Sequence, residues 1–478
     1  MLPKPLSPLD QLFLLLERRN QPMHVGGLQL LRPPADAPAD FLARQVEKLR
    51  EATAALPPFN LRLNRRFGNW FWVEDEAFDL EAHFRHLALP APGRIRELLA
   101  LVSQLHSAPL DRAKPLWELY VISGIEDGRF AIYAKIHHAL VDGIAATRIL
   151  RKSMSEDRSA ELTPPWTLQR RNREREPGAD LAIVGLARLI EGARTQAATI
   201  PVVTRELYRS IREARENPDF VSAFQAPRSI LNQRITGSRR FAAQSYSLPR
   251  IRALLKPLHA TVNDIVLAMC ASALRRYLMD LEALPQKPLI AMVPLSLRRD
   301  DSDEGNQIAM ILANLGTHLA NPLDRLETIR GSVQDAKRRY SRLGGAAMLN
   351  YVAAVMAPAG LNIATGLAPR WQSFNVIISN VPGPKRPLYW SGASLEGMYP
   401  VSVITDGLAL NITLTSYVDR LEFGIIACRR TLPRIQRLLD YLEQGLVELE
   451  EAAGELQPQP QPEAPAVKKS RRSRSQGA

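Results

Sequence analysis

Apolar residues recur along this chain with two different periods, and the alternation of the two predicts its elements. Spacing of three to four predicts helices over 9–18, 40–56 with Asp40 near its N-cap, 94–107, 261–281 capped by Thr261, 322–341 and 432–453. Alternation by two, or short runs rich in β-branched and aromatic residues, predicts strands over 25–31, 69–73, 117–122, 130–136 and 241–247. The same signal returns over 289–295, 307–315, 374–379, 394–401, 408–417 and 420–427, while 248–258 reads as a helix or a pair of turns. The turn Glu126-Asp127-Gly128-Arg129 joins two of these strands into a hairpin ending near residue 136. Strands and helices mixed in two halves of similar weight predict α/β layers, not a bundle or a barrel.

Composition breaks the pattern in three places. Residues 154–178 turn polar and charged, with RRNRERE at 170–176, and read as an exposed segment. Apolar periodicity returns over 180–193, and 201–215 reads as a mixed basic helix able to lie on a lipid surface or to pack on the connector. The expected division is therefore 1–155 as a first domain, 156–236 as charged linker and helical connector, 237–454 as a second domain, and 455–478 as a Pro/Gln-rich, then basic, disordered tail. Between Arg342 and Arg370 no residue is charged, but Pro358 interrupts the run; it reads as two short buried helices that could line an acyl channel, not as a membrane span.

Charge and cysteine content narrow the class. The 478 residues, 46% hydrophobic, can bury two substantial cores. The net charge is +13, of which 451–478 supplies only +2, so the body is basic in its own right. No nucleic-acid fold motif or base-stacking pattern accompanies that charge, and an anionic lipid surface or a phosphorylated substrate suits it better. The two cysteines, Cys270 and Cys428, lie in apolar runs and read as buried free thiols. The opening residues lack a basic start and a long apolar core, which predicts a cytoplasmic protein, with peripheral contact to the inner membrane or lipid inclusions compatible with its charge.

The chemistry-bearing stretch is Ile136-His137-His138-Ala139-Leu140-Val141-Asp142-Gly143-Ile144, at the end of the hairpin. In extended backbone His137 and His138 point to opposite faces, so one of them at most enters a given cleft. A neutral imidazole there can take a proton from an alcohol, amine or thiol poised over a carbonyl. Asp142 is placed to hold the turn, pair with an arginine or fix a ring tautomer, and Gly143 allows close backbone approach. Paired histidines at a strand end also occur as loop residues or metal ligands, although no third His or Cys lies nearby in sequence. Nothing resembles a serine nucleophile elbow, and both cysteines fall in expected core, which disfavours covalent catalysis.

The HHxxxDG pattern resembles the active-site motif of the acyltransferase superfamily that includes chloramphenicol acetyltransferase, carnitine acyltransferases, peptide-synthetase condensation domains and the bacterial wax ester synthase/diacylglycerol acyltransferases. Further blocks are similar to the last family: SPLDQLFLLLE at 7–17, Pro115-Leu116-Trp117, Asn263-Asp264 and Asn380-Val381-Pro382-Gly383. The resemblance implies two chloramphenicol-acetyltransferase-like domains with mixed sheets flanked by helices and an active site in an interdomain channel. It also implies that His138 is the general base with His137 supporting, that Asp142 orients and holds the loop, and that Asn263 is the oxyanion candidate. Gly143, Pro115, Leu116, Trp117, Asp264, Asn380, Pro382 and Gly383 would then be structural, with Arg298 one conceivable partner for the acidic residues. His24 reads as a packing or channel-lining residue.

The implied donor is long-chain acyl-CoA, and the implied acceptor a fatty alcohol or diacylglycerol, giving wax ester or triacylglycerol. No metal or permanently bound cofactor is expected, and the arginines that would meet coenzyme A are not singled out. A condensation-type amide-forming enzyme and a noncatalytic lipid-binding protein are the competing readings.

Overall fold

The computed structural model describes residues 3–66, 68–141, 151–168, 225–296, 308–342 and 372–456, with a few single positions between them. A small sheet at the N-terminus has β4 (Asn69–Glu74) between β1 (Lys4–Pro5) and β3 (Leu61–Arg66). Helix α1 (Pro8–Leu16) leads into β2 (His24–Arg32), followed by α2 (Phe41–Glu51), β5 (Phe84–Ala88), α3 (Ile95–Ser107), β6 (Trp117–Ser123) and β7 (Phe130–His137). The second half holds β8 (Arg239–Ser247), α4 (Leu248–Ala253), α5 (Val262–Asp280), β9 (Ile290–Ser296), β10 (Ile308–Asn314) and α6 (Pro322–Arg342). It continues with β11 (Val376–Val381), β12 (Tyr389–Trp390), β13 (Ala393–Val401), β14 (Leu410–Tyr417), β15 (Arg420–Cys428) and α7 (Arg437–Leu456).

Two six-stranded mixed sheets carry the fold, in the orders β12-β13-β2-β7-β6-β5 and β10-β9-β11-β14-β15-β8. Only β5–β6 is parallel in the first, whereas β11 runs parallel to both β9 and β14 in the second. Strand β13 comes from the C-terminal stretch yet pairs with β2, from Ser394 opposite Arg32 to Val401 opposite Gly26. A division at residue 237 thus separates β12 and β13 in sequence from the sheet in which their hydrogen bonds lie. Close contact between the sheets depends on Gly424 of β15: a Cβ there would sit 1.8 Å from the Pro400 carbonyl oxygen of β13.

Helix α3 closes the seam. The backbone N–H groups of Arg239 and Phe241, on edge strand β8, donate to Ser107 Oγ and Ser103 Oγ, each at 2.9 Å. Two side chains thereby satisfy donors that an exposed edge would offer to a foreign strand. One apolar core runs from Leu28 and Tyr133 in the first sheet to α5 and α7 in the second half, and a separate core around Leu116, Trp117 and Trp166 fills the other face of the first sheet.

Local departures from the sequence reading have physical causes. Strands β3 and β5 were not anticipated; in β3 three arginines, Arg62, Arg65 and Arg66, mask the apolar alternation, and pairing with β4 supplies the burial of Leu63. Helix α2 stops at Glu51, short of residue 56, and the indole of Trp166 takes the Ala52 carbonyl at 2.7 Å. Asp40 is its N-cap by position, but its carboxylate accepts from Arg44 at 2.7 Å and makes no cap bond. Helix α7 begins at Arg437, after Pro433 and after Arg434, whose φ of 56° takes it out of helical backbone. The connector helices expected over 180–193 and 201–215 and the uncharged stretch 343–369 lie wholly or for the most part outside the described residues, as does the tail beyond 456.

Candidate active site

The β6–β7 hairpin forms as its turn predicts, with Gly128 at φ 78° and antiparallel pairing from Trp117 opposite Ile136 to Ile122 opposite Ala131. Strand β7 is buried on both faces, which is why even its one charged residue must find internal partners. Lys135 pairs with Glu118 at 2.6 Å, and its ammonium also donates to the carbonyls of Leu105 and Ala108 at 3.2 and 3.1 Å. Those carbonyls end α3, so a cation sits where the helix dipole favours one.

The chain turns as it leaves β7. The His137 N–H donates to Leu116 O at 3.0 Å and the His138 N–H to Met23 O at 2.8 Å, so two different neighbouring segments fix the pair. Leu140 and Val141 then donate back to His137 O at 2.9 and 3.2 Å. The two rings have different surroundings. His137 is 0% exposed, while His138 is half-buried and stacks on Phe13 of α1, centroids 4.2 Å apart and planes 18° apart.

Helix α1 also delivers the residue that sequence reading missed. Its C-cap, Glu17, accepts from the Met23 N–H at 3.1 Å and from Arg112 Nε at 2.8 Å, and Arg112 in turn holds Leu14 O at 2.6 Å. The Ala139 N–H donates to His137 Nδ1 at 3.0 Å, which leaves the ring proton on Nε2. Nε2 lies 3.4 Å from Glu17 Oε1, an ion-pair distance at which the two groups are not aligned as a hydrogen bond. Burial opposes ionisation of Glu17, but His137, the Met23 N–H and Arg112 outweigh it and hold the carboxyl at about 2. Its signals in the sequence were its place at the end of the SPLDQLFLLLE block and directly after the apolar run 12–16.

Behind this set lies a neutral histidine pair. His24 is opposite His137 in the β2–β7 ladder and donates from Nε2 to His106 O at 2.9 Å. His106 accepts from the Tyr133 hydroxyl at 2.7 Å and donates to Ser402 O at 3.1 Å. Burial drives His106 down to about 3 and His24 well below its ordinary range, so neither carries charge at neutral pH. For His24 these contacts describe packing and tethering.

The other predicted residues are spread over both halves. Pro115, Leu116 and Trp117 are buried; Trp117 donates from its indole to Phe59 O at 2.7 Å and stacks on His83 and Trp166 at 4.7 and 5.6 Å. This block positions His137 through the Leu116 carbonyl. Asn263 is half-buried in the first turn of α5, next to Asp264, whose Oδ2 accepts from both the backbone and the hydroxyl of Thr261 at 2.9 and 2.7 Å. Asp264 therefore completes a capping box.

Asn380 is the last residue but one of β11, opposite Leu414, and Pro382 and Gly383 turn the chain away; a Cβ at Gly383 would lie 1.9 Å from Ser416 O, so only glycine fits. Asn263 and Asn380 stand in the second half, apart from the hydrogen bonds that hold the histidines. Asp142, Gly143 and Arg298 lie outside the described residues. Cys270 and Cys428 are buried free thiols. Among the described residues no group of three His, Cys, Asp or Glu side chains is gathered as for a metal, and no helix is long and apolar enough to cross a membrane.

Comparison with known proteins meets this geometry from the other side. Residues 6–266 match the wax ester synthase/diacylglycerol acyltransferase catalytic domain, and residues 304–450 match the C-terminal domain of the same family. The chain is 54% identical over 448 residues to the O-acyltransferase WSD of Acinetobacter baylyi, covering 93% of this chain and 96% of that protein. The solved wax ester synthase/diacylglycerol acyltransferase of Marinobacter aquaeolei superposes with a TM-score of 0.78 at 50% identity, covering 94% of this chain and all of that one (100%). The first condensation domain of the calcium-dependent antibiotic synthetase shares the fold at 15% identity and a TM-score of 0.55, over 95% of this chain and 97% of that one. The chain belongs to the wax ester synthase/diacylglycerol acyltransferase family.

Proposed function

We propose that the protein transfers a long-chain acyl group from acyl-CoA to the hydroxyl of a fatty alcohol or a diacylglycerol, with His138 as general base. The observation that carries the assignment is the asymmetry of the two histidines. His137 is fully buried, its Nδ1 engaged by Ala139 and its Nε2 beside Glu17. His138 keeps a partly open face while its ring is steadied on Phe13.

In this mechanism the acceptor oxygen attacks the thioester carbonyl carbon as the His138 ring takes the hydroxyl proton. The tetrahedral oxyanion collapses, the carbon–sulfur bond breaks, and the imidazolium returns the proton to the departing coenzyme A thiolate. Atoms and charges balance without an acyl-enzyme. Asn263, at the positive end of α5, is the candidate donor to the oxyanion, and Asp142 the residue that orients the loop. The basic body suits the phosphates of the donor, and the uncharged stretch 343–369 suits an acyl chain. A cytoplasmic protein touching a membrane or lipid inclusion peripherally fits both substrates.

The test is turnover of palmitoyl-CoA with hexadecanol or a diacylglycerol, following thiol release and lipid product together. Wild-type protein should form ester with at least one acceptor. His138→Ala should lose roughly 10²- to 10⁴-fold in kcat while keeping a native circular dichroism spectrum. Equal loss of kcat in folded His137→Ala and His138→Ala proteins would remove the division of labour between the rings. Absence of ester with every acceptor from folded wild-type protein would overturn the function.

A further inference from the structure

Among the described residues, the large apolar side chains most open to solvent include two a single turn apart on one helix: Leu12, 46% exposed, and Leu15, 72% exposed, both on α1. The others so exposed, such as Ile95, Met279 and Val447, stand singly on their elements. Helix α1 is also the element whose opposite side is committed to the site: Phe13 stacks on His138, Leu14 is 2% exposed and its carbonyl binds Arg112, and Glu17 faces His137. A nine-residue helix with a polar sequence on its outer face would have formed this contact equally well, so the outer leucines are not required by the packing. Exposed cations bracket the ridge, Lys4 before the helix and Arg18 and Arg19 after it. The single acidic side chain within α1, Asp10, is turned to the Ser7 hydroxyl at 2.7 Å.

We propose that the outer face of α1 docks on an anionic phospholipid surface, Leu12 and Leu15 entering the acyl boundary while Lys4, Arg18 and Arg19 meet the headgroups. The inference rests on the reading of the site as one that takes lipid substrates, and it adds where such substrates enter. Apolar side chains flanked by cations are the pattern by which a short helix lies in a membrane interface. Because the same helix carries Phe13 and Glu17, docking brings the lipid phase to within one helix diameter of His138, about 10 Å. An acceptor dissolved in that phase then reaches the base without crossing water.

The experiment is flotation of the purified full chain with vesicles of phosphatidylcholine containing 30% phosphatidylglycerol, and with phosphatidylcholine alone. Wild-type protein should float with the anionic vesicles, and Leu12→Ser/Leu15→Ser should weaken that partitioning roughly tenfold or more. Arg18→Gln/Arg19→Gln should weaken it and abolish the preference for anionic lipid. Turnover of butyryl-CoA with a dissolved short-chain alcohol should be unchanged in the leucine variant, which also reports that it is folded. Unaltered flotation of the leucine variant would overturn the proposal, as would equal flotation of wild type on neutral vesicles. Conversion of a lipid-free dimer to monomer by the leucine substitutions would assign the face to a second copy of the chain instead. Flotation needs no catalysis, so a protein that binds as described but forms no ester would refute the enzymatic reading and leave the docking surface standing.

Discussion

Each half of the molecule buries a carboxylate beside the seam, and the two are shifted in opposite directions from the ordinary carboxylate range. Glu17, in the first half, is surrounded by Arg112, His137 and the Met23 N–H and is held at about 2. Glu422, on β15, is 0% exposed; its Oε2 accepts from the Ser245 hydroxyl and its Oε1 has no hydrogen-bond partner. Burial pushes Glu422 up to about 7, with Ser245, Tyr399 and the charge of Arg420 pulling only weakly against it. Partners, not depth, decide the charge of a buried acid. The one held low adjoins the histidines, and the one raised by burial lies where β13 meets β15.

The largest effect expected from this difference comes from removing the ionised group. Glu17→Ala leaves Arg112 without its carboxylate and His137 without its neighbour, and should cost about 3–5 kcal/mol in denaturant unfolding. Turnover should fall as well, because α1 loses the contact that keeps Phe13 over His138. The sign with pH follows from a folded value below the ordinary 4.5: the stabilisation is present above pH 4.5 and disappears as pH falls towards about 2. Glu17→Ala protein whose stability shows the same acid limb as wild type would place that limb on other carboxylates.

Replacing the other acid should do the reverse. Glu422 has a folded value near 7 against 4.5 in the unfolded chain, so the native state binds the extra proton and stability declines as pH rises between those values. Glu422→Gln abolishes that decline, and should stabilise the protein by about 2–3 kcal/mol at pH 8 and by almost nothing at pH 5. A gain independent of pH would show that the substitution repacks the seam without touching an ionisation.

Neither carboxylate could be assigned a charge from the sequence, and the reason separates what was legible from what was not. The β6–β7 hairpin, α5 with its Thr261 cap, and the divergence of His137 from His138 are consequences of local periodicity, and local periodicity is written in consecutive residues. The partners of Glu17 and Glu422 come from distant segments: Arg112 and His137 for the first, Ser245 and Tyr399 for the second. The pairing of β13 with β2 is of the same kind, since no local pattern says which strand a strand will meet. Lys135 is a further instance: β7 is covered on both sides and the lysine is buried against Glu118, a partner that its own strand does not name. The motif blocks fared better because they identify positions without needing their partners; Leu116 and Gly383 were singled out this way, and their roles, a carbonyl for His137 and a close pass by Ser416, emerged only in three dimensions.

The smallest of the expected effects tests the comparison most closely. Ser245 has one hydroxyl proton, and it is given to Glu422, so the Tyr399 hydroxyl, 2.9 Å from Ser245 Oγ, must be the donor in that second contact. Ser245→Ala therefore deprives the Glu422 carboxylate of a donor while leaving its burial intact. The loss should be about 1 kcal/mol above pH 7, where the carboxylate form needs the bond, and less at pH 5, where the neutral acid can donate elsewhere. The midpoint of the pH-dependent decline should move upwards by roughly half to one unit, since about 1.4 kcal/mol corresponds to one unit. Adding Glu422→Gln to Ser245→Ala should erase the pH dependence again, because the only group that titrates in this pair is gone. If the single Ser245→Ala change leaves the midpoint in place, the hydroxyl is not what restrains Glu422, and Arg420 would then be acting on it as Arg112 acts on Glu17.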